Sequence, residues 1–151
     1  MRIVALDIGV KRIGLAFADS QVRIAIPRGM VPADGNEFQN IAKQLRLEKA
    51  DVLVCGLPRN NSGEETRQTA FVRDWVEQFK TTNPDFSLPI YFQDESYTSV
   101  VAEEHLGEVS RADRASGKVD SEAATLILQD FLEGAQLAQV EQHIMEKQHA
   151  N

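Results

Sequence analysis

Acids stand at three places where a folded chain can gather carboxylates. Asp7 ends the apolar run Arg2-Ile-Val-Ala-Leu-Asp7, Asp94 and Glu95 follow the run Pro89-Ile-Tyr-Phe-Gln93, and Asp120 opens the last long helical pattern. In an α/β sheet the ligand crevice lies beyond the carboxyl ends of the strands. Acids placed there, with a helix start nearby, can converge on one point. Three carboxylates suit Mg²⁺ or Mn²⁺, which prefer oxygen ligands and keep several waters. Two such ions about 4 Å apart can activate a water and stabilise the leaving oxygen of a phosphodiester. Each acid also has an ordinary structural reading. Asp7 before Ile8-Gly9 suits a turn, Asp94 or Glu95 a helix cap, and Asp120 an offset to the helix dipole.

The elements that must position these acids follow from periodicity. Residues 2–7 and Arg12-Ile-Gly-Leu-Ala-Phe-Ala18 read as two strands joined by a tight turn through Gly9, and Val22 to Met30 as a third. Asp34-Gly-Asn-Glu37 opens a helix with Phe38, Ile41, Ala42 and Leu45 on one face. Asp51 to Cys55 is a buried strand. Glu64 to Phe79 is a helix whose inner face includes Thr66, Ala70, Val72, Trp75 and Phe79. Pro89 to Gln93 is a strand and Thr98 to Leu106 a short helix. The charged segment from Glu108 to Lys118 is expected to be a mobile loop. Val119 to Leu132 is a helix with Ala124, Ile127, Leu128, Phe131 and Ala135 facing in, and the polar residues 136–151 are helix-compatible but expected to fray. The order β-β-β-α-β-α-β-α-α indicates one α/β domain with a mixed five-stranded sheet and helices on both faces. Its first three strands should be antiparallel, with the first also beside strand 51–55.

Composition narrows the setting. The 151 residues suffice for one domain with a core. Cys55 is the only cysteine, which excludes an intramolecular disulfide, and its apolar surroundings mark a buried strand residue. No apolar stretch is long enough to span a membrane, and the N-terminal pattern is that of a strand, not a signal peptide; a cytoplasmic location is expected. The net charge of −7 is uneven, because residues 119–151 hold six acids against one base. The remainder is nearly neutral and can carry a local basic surface, and carboxylates screened by a divalent ion do not require a basic chain.

Four segments in order carry a family resemblance. Asp7-Ile-Gly-Val-Lys-Arg-Ile-Gly-Leu-Ala16 with Asp19 closely resembles the opening motif of the YqgF family, also called RuvX, whose members are RuvC-like proteins of the RNase H-like superfamily. Gly56-Leu-Pro58 with Gly63 resembles its Gly-Leu-Pro segment. Phe92-Gln-Asp-Glu-Ser-Tyr-Thr-Ser99 resembles its Asp-Glu-Arg-Leu-Thr-Thr motif. Gly117-Lys-Val-Asp-Ser-Glu-Ala-Ala124 resembles its final Asp-bearing helix. One departure is visible: Ser96 and Tyr97 stand where the family has Arg-Leu, which removes any contact such an Arg would make and spares the acids. The resemblance spans residues 1–133, an RNase H-like nuclease domain, and leaves 134–151 as a polar helical extension. It implies an RNase H-like fold and phosphodiester cleavage dependent on Mg²⁺ or Mn²⁺. Asp7, Glu95 and Asp120 are the implied catalytic residues and metal ligands. It thereby selects Glu95 over Asp94, only one of which can face Asp7 from a strand.

Lys11, Arg12, Arg59, Asn60, Asn61, Arg111, Arg114 and Lys118 are candidate phosphate contacts, which would position a nucleic acid without reading its sequence. Ordinary solvated charge is the alternative for each. Trp75 sits at helical spacing and reads as core, and His105, His143 and His149 as surface residues without ligand spacing. The implied substrate is nucleic acid. Precursor 16S ribosomal RNA cut toward its 5′ end is favoured over the branched DNA of a Holliday junction resolvase, and a homodimer stays open. A non-catalytic nucleic-acid module is disfavoured because all three acids are present. An ATP-binding protein of the actin and sugar-kinase fold also begins Asp-x-Gly, but needs two such domains.

Overall fold

The computed structural model describes residues 1–95 and 118–149. Strands β1 (Arg2–Ile8), β2 (Arg12–Asp19) and β3 (Ile26–Pro32) precede helix α1 (Glu37–Leu47). Strand β4 (Val52–Pro58), helix α2 (Arg67–Thr82), strand β5 (Ile90–Glu95), helix α3 (Lys118–Glu133) and helix α4 (Gln136–His149) follow. The five strands form one sheet in the order β3-β2-β1-β4-β5. β1, β2 and β3 pair antiparallel, while β4 lies parallel to both β1 and β5. The expected mixed sheet is therefore present, with strand 1 between strand 2 and strand 4.

Side chains alternate between the two faces of a strand, and the packing follows that rule. Val4, Leu6 and Ile8 of β1, Ile13, Leu15 and Phe17 of β2, and Leu53, Cys55 and Leu57 of β4 join Ile41 and Leu45 of α1 and Val72, Trp75 and Phe79 of α2 in one core. Ile3 and Ala5, Ala16 and Ala18, and Val52 and Val54 turn the other way, against Ala124, Ile127, Leu128 and Phe131 of α3. Cys55 is fully buried and its thiol is pushed up to about 12 by burial, so it is a core residue. Trp75 is a core residue too: its ring stacks on Phe79 with centroids 5.5 Å apart and meets Phe38 at 5.0 Å.

Five details differ from the sequence expectations. β3 begins at Ile26 rather than Val22, because Val22 and Arg23 both donate their amides to the Asp19 carbonyl and Arg23 takes φ +61°. That tight turn leaves residues 22–25 unable to pair. α2 begins at Arg67 rather than Glu64, after a reciprocal cap in which Thr66 accepts from the Thr69 amide and Thr69 from the Thr66 amide. The cap turns Thr69 inward, its hydroxyl donating to the Pro58 carbonyl, and leaves Ala70 exposed. Ala135 is exposed between α3 and α4, and it is Ala123 and Leu132 that complete the α3 face. Residues 136–149 pack as a helix instead of fraying, since Leu137 and Val140 enter the second core. The short helix over 98–106 and most of the loop over 108–118 lie outside the described residues.

Candidate active site

The alternation that builds the two cores also sorts the acids. Asp7 follows Ile3 and Ala5 on the α3 face of β1. On β5, Phe92 packs into the α1–α2 core and Tyr91 into the α3 core, so Asp94 belongs to the first face and Glu95 to the second. Asp94 is exposed there and paired with Arg59, Nε to Oδ1 3.0 Å. Glu95 thus shares a sheet face with Asp7, and Asp94 does not.

Asp120 reaches Asp7 from above that face. The register pairs Asp7 with Gly14 across β1 and β2. The first turn of α3 presses on Gly14 so closely that a Cβ there would stand 1.9 Å from the Asp120 carbonyl oxygen. Burial first, and the negative charge of Asp120 second, raise the Asp7 carboxyl from 3.8 to about 6. Burial likewise raises Asp120, offset by the Arg12 guanidinium and by a hydrogen bond from its own backbone. Two carboxylates therefore lie near enough for one to raise the other, Asp7 deeply buried and Asp120 half-buried, with Arg12 beside Asp120.

Glu95 stands further off. It pairs with Pro58, whereas Leu6 pairs with Cys55, so Glu95 lies two strands across from Asp7 and two residues further along. At strand spacings of about 4.8 Å and rises of about 3.3 Å, this is roughly 12 Å between Cα atoms. In keeping with that, no three His, Cys, Asp or Glu side chains among the described residues stand close enough to hold one ion. Residues 96–117, which join Glu95 to α3, lie outside the described residues.

The candidate phosphate contacts divide. Lys11 and Arg12 are exposed at the β1–β2 turn, closed by the Gly9 amide donating to the Arg12 carbonyl at 3.0 Å. Arg59 is occupied: besides pairing with Asp94, it donates to the Gly63 carbonyl at 3.2 Å. Asn60 organises its own loop, its Oδ1 accepting from the amides of Ser62 at 3.0 Å and Glu64 at 2.8 Å. Arg111 and Arg114 lie outside the described residues, and Lys118 is the first residue of α3. His143 is exposed on α4. Gly14, which sequence reasoning quotes only as part of the opening motif, lies under the backbone of Asp120, a contact that says nothing until α3 is in place.

The profile of the RuvX family, described as Holliday junction resolvase, matches residues 1–134. A relative from Nitratidesulfovibrio vulgaris (strain DP4), named "Putative pre-16S rRNA nuclease", is 36% identical over 135 residues, covering 87% of this chain and 93% of its own length. One of the same name from Sulfurihydrogenibium sp. (strain YO3AOP1) is also 36% identical, over 132 residues covering 87% and 90%. Among solved structures, T. thermophilus RuvC in complex with Holliday junction substrate superposes with a TM-score of 0.53 at 14% identity, covering 87% of this chain and 94% of that one. This likeness shows the shared RNase H-like fold. With the profile matched through α3 and the paired acids inside the matched region, the chain belongs to the RuvX family.

Proposed function

We propose that this chain is a divalent-metal-dependent nuclease that hydrolyses phosphodiester bonds of precursor 16S ribosomal RNA in the cytoplasm. The observation that carries the reading is the Asp7–Asp120 pair: two carboxylates on one face of the sheet, both raised by burial, with Asp7 raised further by the charge of Asp120. A chain gains nothing in stability from that arrangement. A Mg²⁺ or Mn²⁺ ion, which takes oxygen ligands, would offset the repulsion and fits this donor set. Asp7 and Asp120 would hold it, and Glu95, on the same face but two strands across, would serve a second ion rather than join them on the first. When bound, such an ion polarises a phosphoryl oxygen and lowers the pKa of a bound water.

The chain's own residues would do the rest. Arg12, beside Asp120, and Lys11, exposed in the same turn, would meet phosphate oxygens and fix the strand against the acids, aided by Arg111, Arg114 and Lys118. Arg59 and Asn60, engaged in their own loop, would add little. Covering of the sheet by α3 keeps Asp7 poorly hydrated, which strengthens each charge interaction it makes. The relatives' name favours ribosomal RNA; the family description keeps a four-way DNA junction as the second reading.

Precursor ribosomal RNA and a synthetic four-way junction, each incubated with Mg²⁺, Mn²⁺ or chelator, separate them. Metal-dependent cleavage of the RNA near the mature 5′ end is expected. Cleavage of the junction alone would install the second reading, and no metal-dependent cleavage of either would overturn both.

A further inference from the structure

We propose that Gly14 is a positioning residue for the metal site: the missing side chain sets how deeply α3 seats on the sheet, and so holds the Asp120 carboxylate against Asp7. The proposal rests on the reading of Asp7 and Asp120 as ligands. Gly14 is the cross-strand partner of Asp7. A Cβ at Gly14 would lie 1.9 Å from the Asp120 carbonyl oxygen, 2.3 Å from its carbonyl carbon and 3.1 Å from its Cα. All three atoms are backbone, so no rotamer change relieves the clash. The first turn of α3 would have to retreat by roughly 1.5 Å to reach ordinary contact. A displacement of about 1 Å at a catalytic centre can cost on the order of 100-fold in rate.

Gly56 provides an internal comparison. It lies on the same face of β4, and its added Cβ would meet Ile127 at Cδ1, 2.4 Å, and Cγ1, 3.0 Å. Those atoms belong to one buried core side chain, so the strain falls on the packing of Ile127 and not on the backbone that carries Asp120. Both glycines lie under α3, but only Gly14 lies under the backbone that carries a carboxylate. A generic packing role predicts similar behaviour at the two positions; a positioning role predicts that they differ.

The test reads metal binding in the absence of substrate. Mg²⁺ and Mn²⁺ titrations, followed by calorimetry and by thermal melts, are run on the parent, Gly14→Ala, Gly56→Ala, Asp7→Asn and Asp120→Asn. Gly14→Ala should bind about 10-fold or more weakly, while Gly56→Ala keeps parental affinity even if it melts lower. Adding Asp120→Glu to Gly14→Ala lengthens the acid by about 1.5 Å and should restore part of the affinity. On the parental background Asp120→Glu should weaken binding, a result that stands even if Gly14→Ala gives no folded protein.

Unchanged affinity in folded Gly14→Ala overturns the proposal, and so does unchanged affinity in Asp120→Glu. Equal losses at Gly14 and Gly56 also overturn it. If Asp7→Asn and Asp120→Asn leave metal binding untouched, the ligand assignment itself has failed. If they abolish it while Gly14→Ala does not weaken it, only the positioning role has failed.

Discussion

Replacing Asp7 by Asn keeps the side chain's size and removes its charge, and it separates a metal ligand from a turn former. Burial and Asp120 raise the Asp7 carboxyl from 3.8 to about 6. The folded chain therefore binds this proton more tightly than the unfolded chain does. Below pH 4 both states are protonated and Asp7 contributes no difference. Between about 4 and 6 only the unfolded state ionises freely, so the metal-free protein loses stability as pH rises. Above 6 the full penalty stands, up to about 3 kcal/mol at about 1.36 kcal/mol per pH unit. Asp7→Asn should accordingly melt close to the parent at pH 4 and higher at pH 7.5, by several degrees. Mg²⁺ or Mn²⁺ should raise the parent's melting temperature and raise the variant's less. Turnover on precursor ribosomal RNA should fall by about 100-fold or more, since a metal supplies several kcal/mol of transition-state stabilisation. Melts across pH with and without metal, beside single-turnover cleavage, measure all of this. A folded variant that cleaves at the parental rate would refute the assignment. A variant destabilised equally at both pH values would show that Asp7 serves the turn.

Three further outcomes follow from the packing and the charges. Leu137→Ala should cost about 2–5 kcal/mol in chemical denaturation, because Leu137 anchors α4 in the second core; a cost near zero would mean that α4 does not dock in solution. Thr66→Ala removes half of the cap of α2 and should cost about 1 kcal/mol, with cleavage per folded molecule unchanged; a fall in that specific activity would give the β4–α2 loop a catalytic role. Neutralising Arg111, Arg114 and Lys118 together should weaken nucleic-acid binding and flatten its salt dependence by up to about 0.7–0.9 log units for each phosphate no longer neutralised; an unchanged slope would show that these bases do not touch the backbone.

Much of this molecule follows from local pattern. The alternation in residues 2–8 places Asp7 opposite Leu6 and Ile8, and β5 separates Asp94 from Glu95 in the same way, because strand geometry has a period of two whatever surrounds it. The strand order of the mixed sheet follows from short turns early in the chain and helical crossovers later. What lies beyond sequence reading depends on contacts between distant residues. Thr69 is buried and Ala70 exposed because a cap hydrogen-bonded to itself and to Pro58 set the phase of α2 against hydropathy. Leu137 and Val140 are core residues only because α3 turns at Gly134 and returns α4 to the sheet. Asp120 becomes a partner of Asp7 only because α3 lies against Gly14, 106 positions earlier in the chain. The absence of a side chain is silent in one dimension. It acquires meaning when another backbone occupies the space.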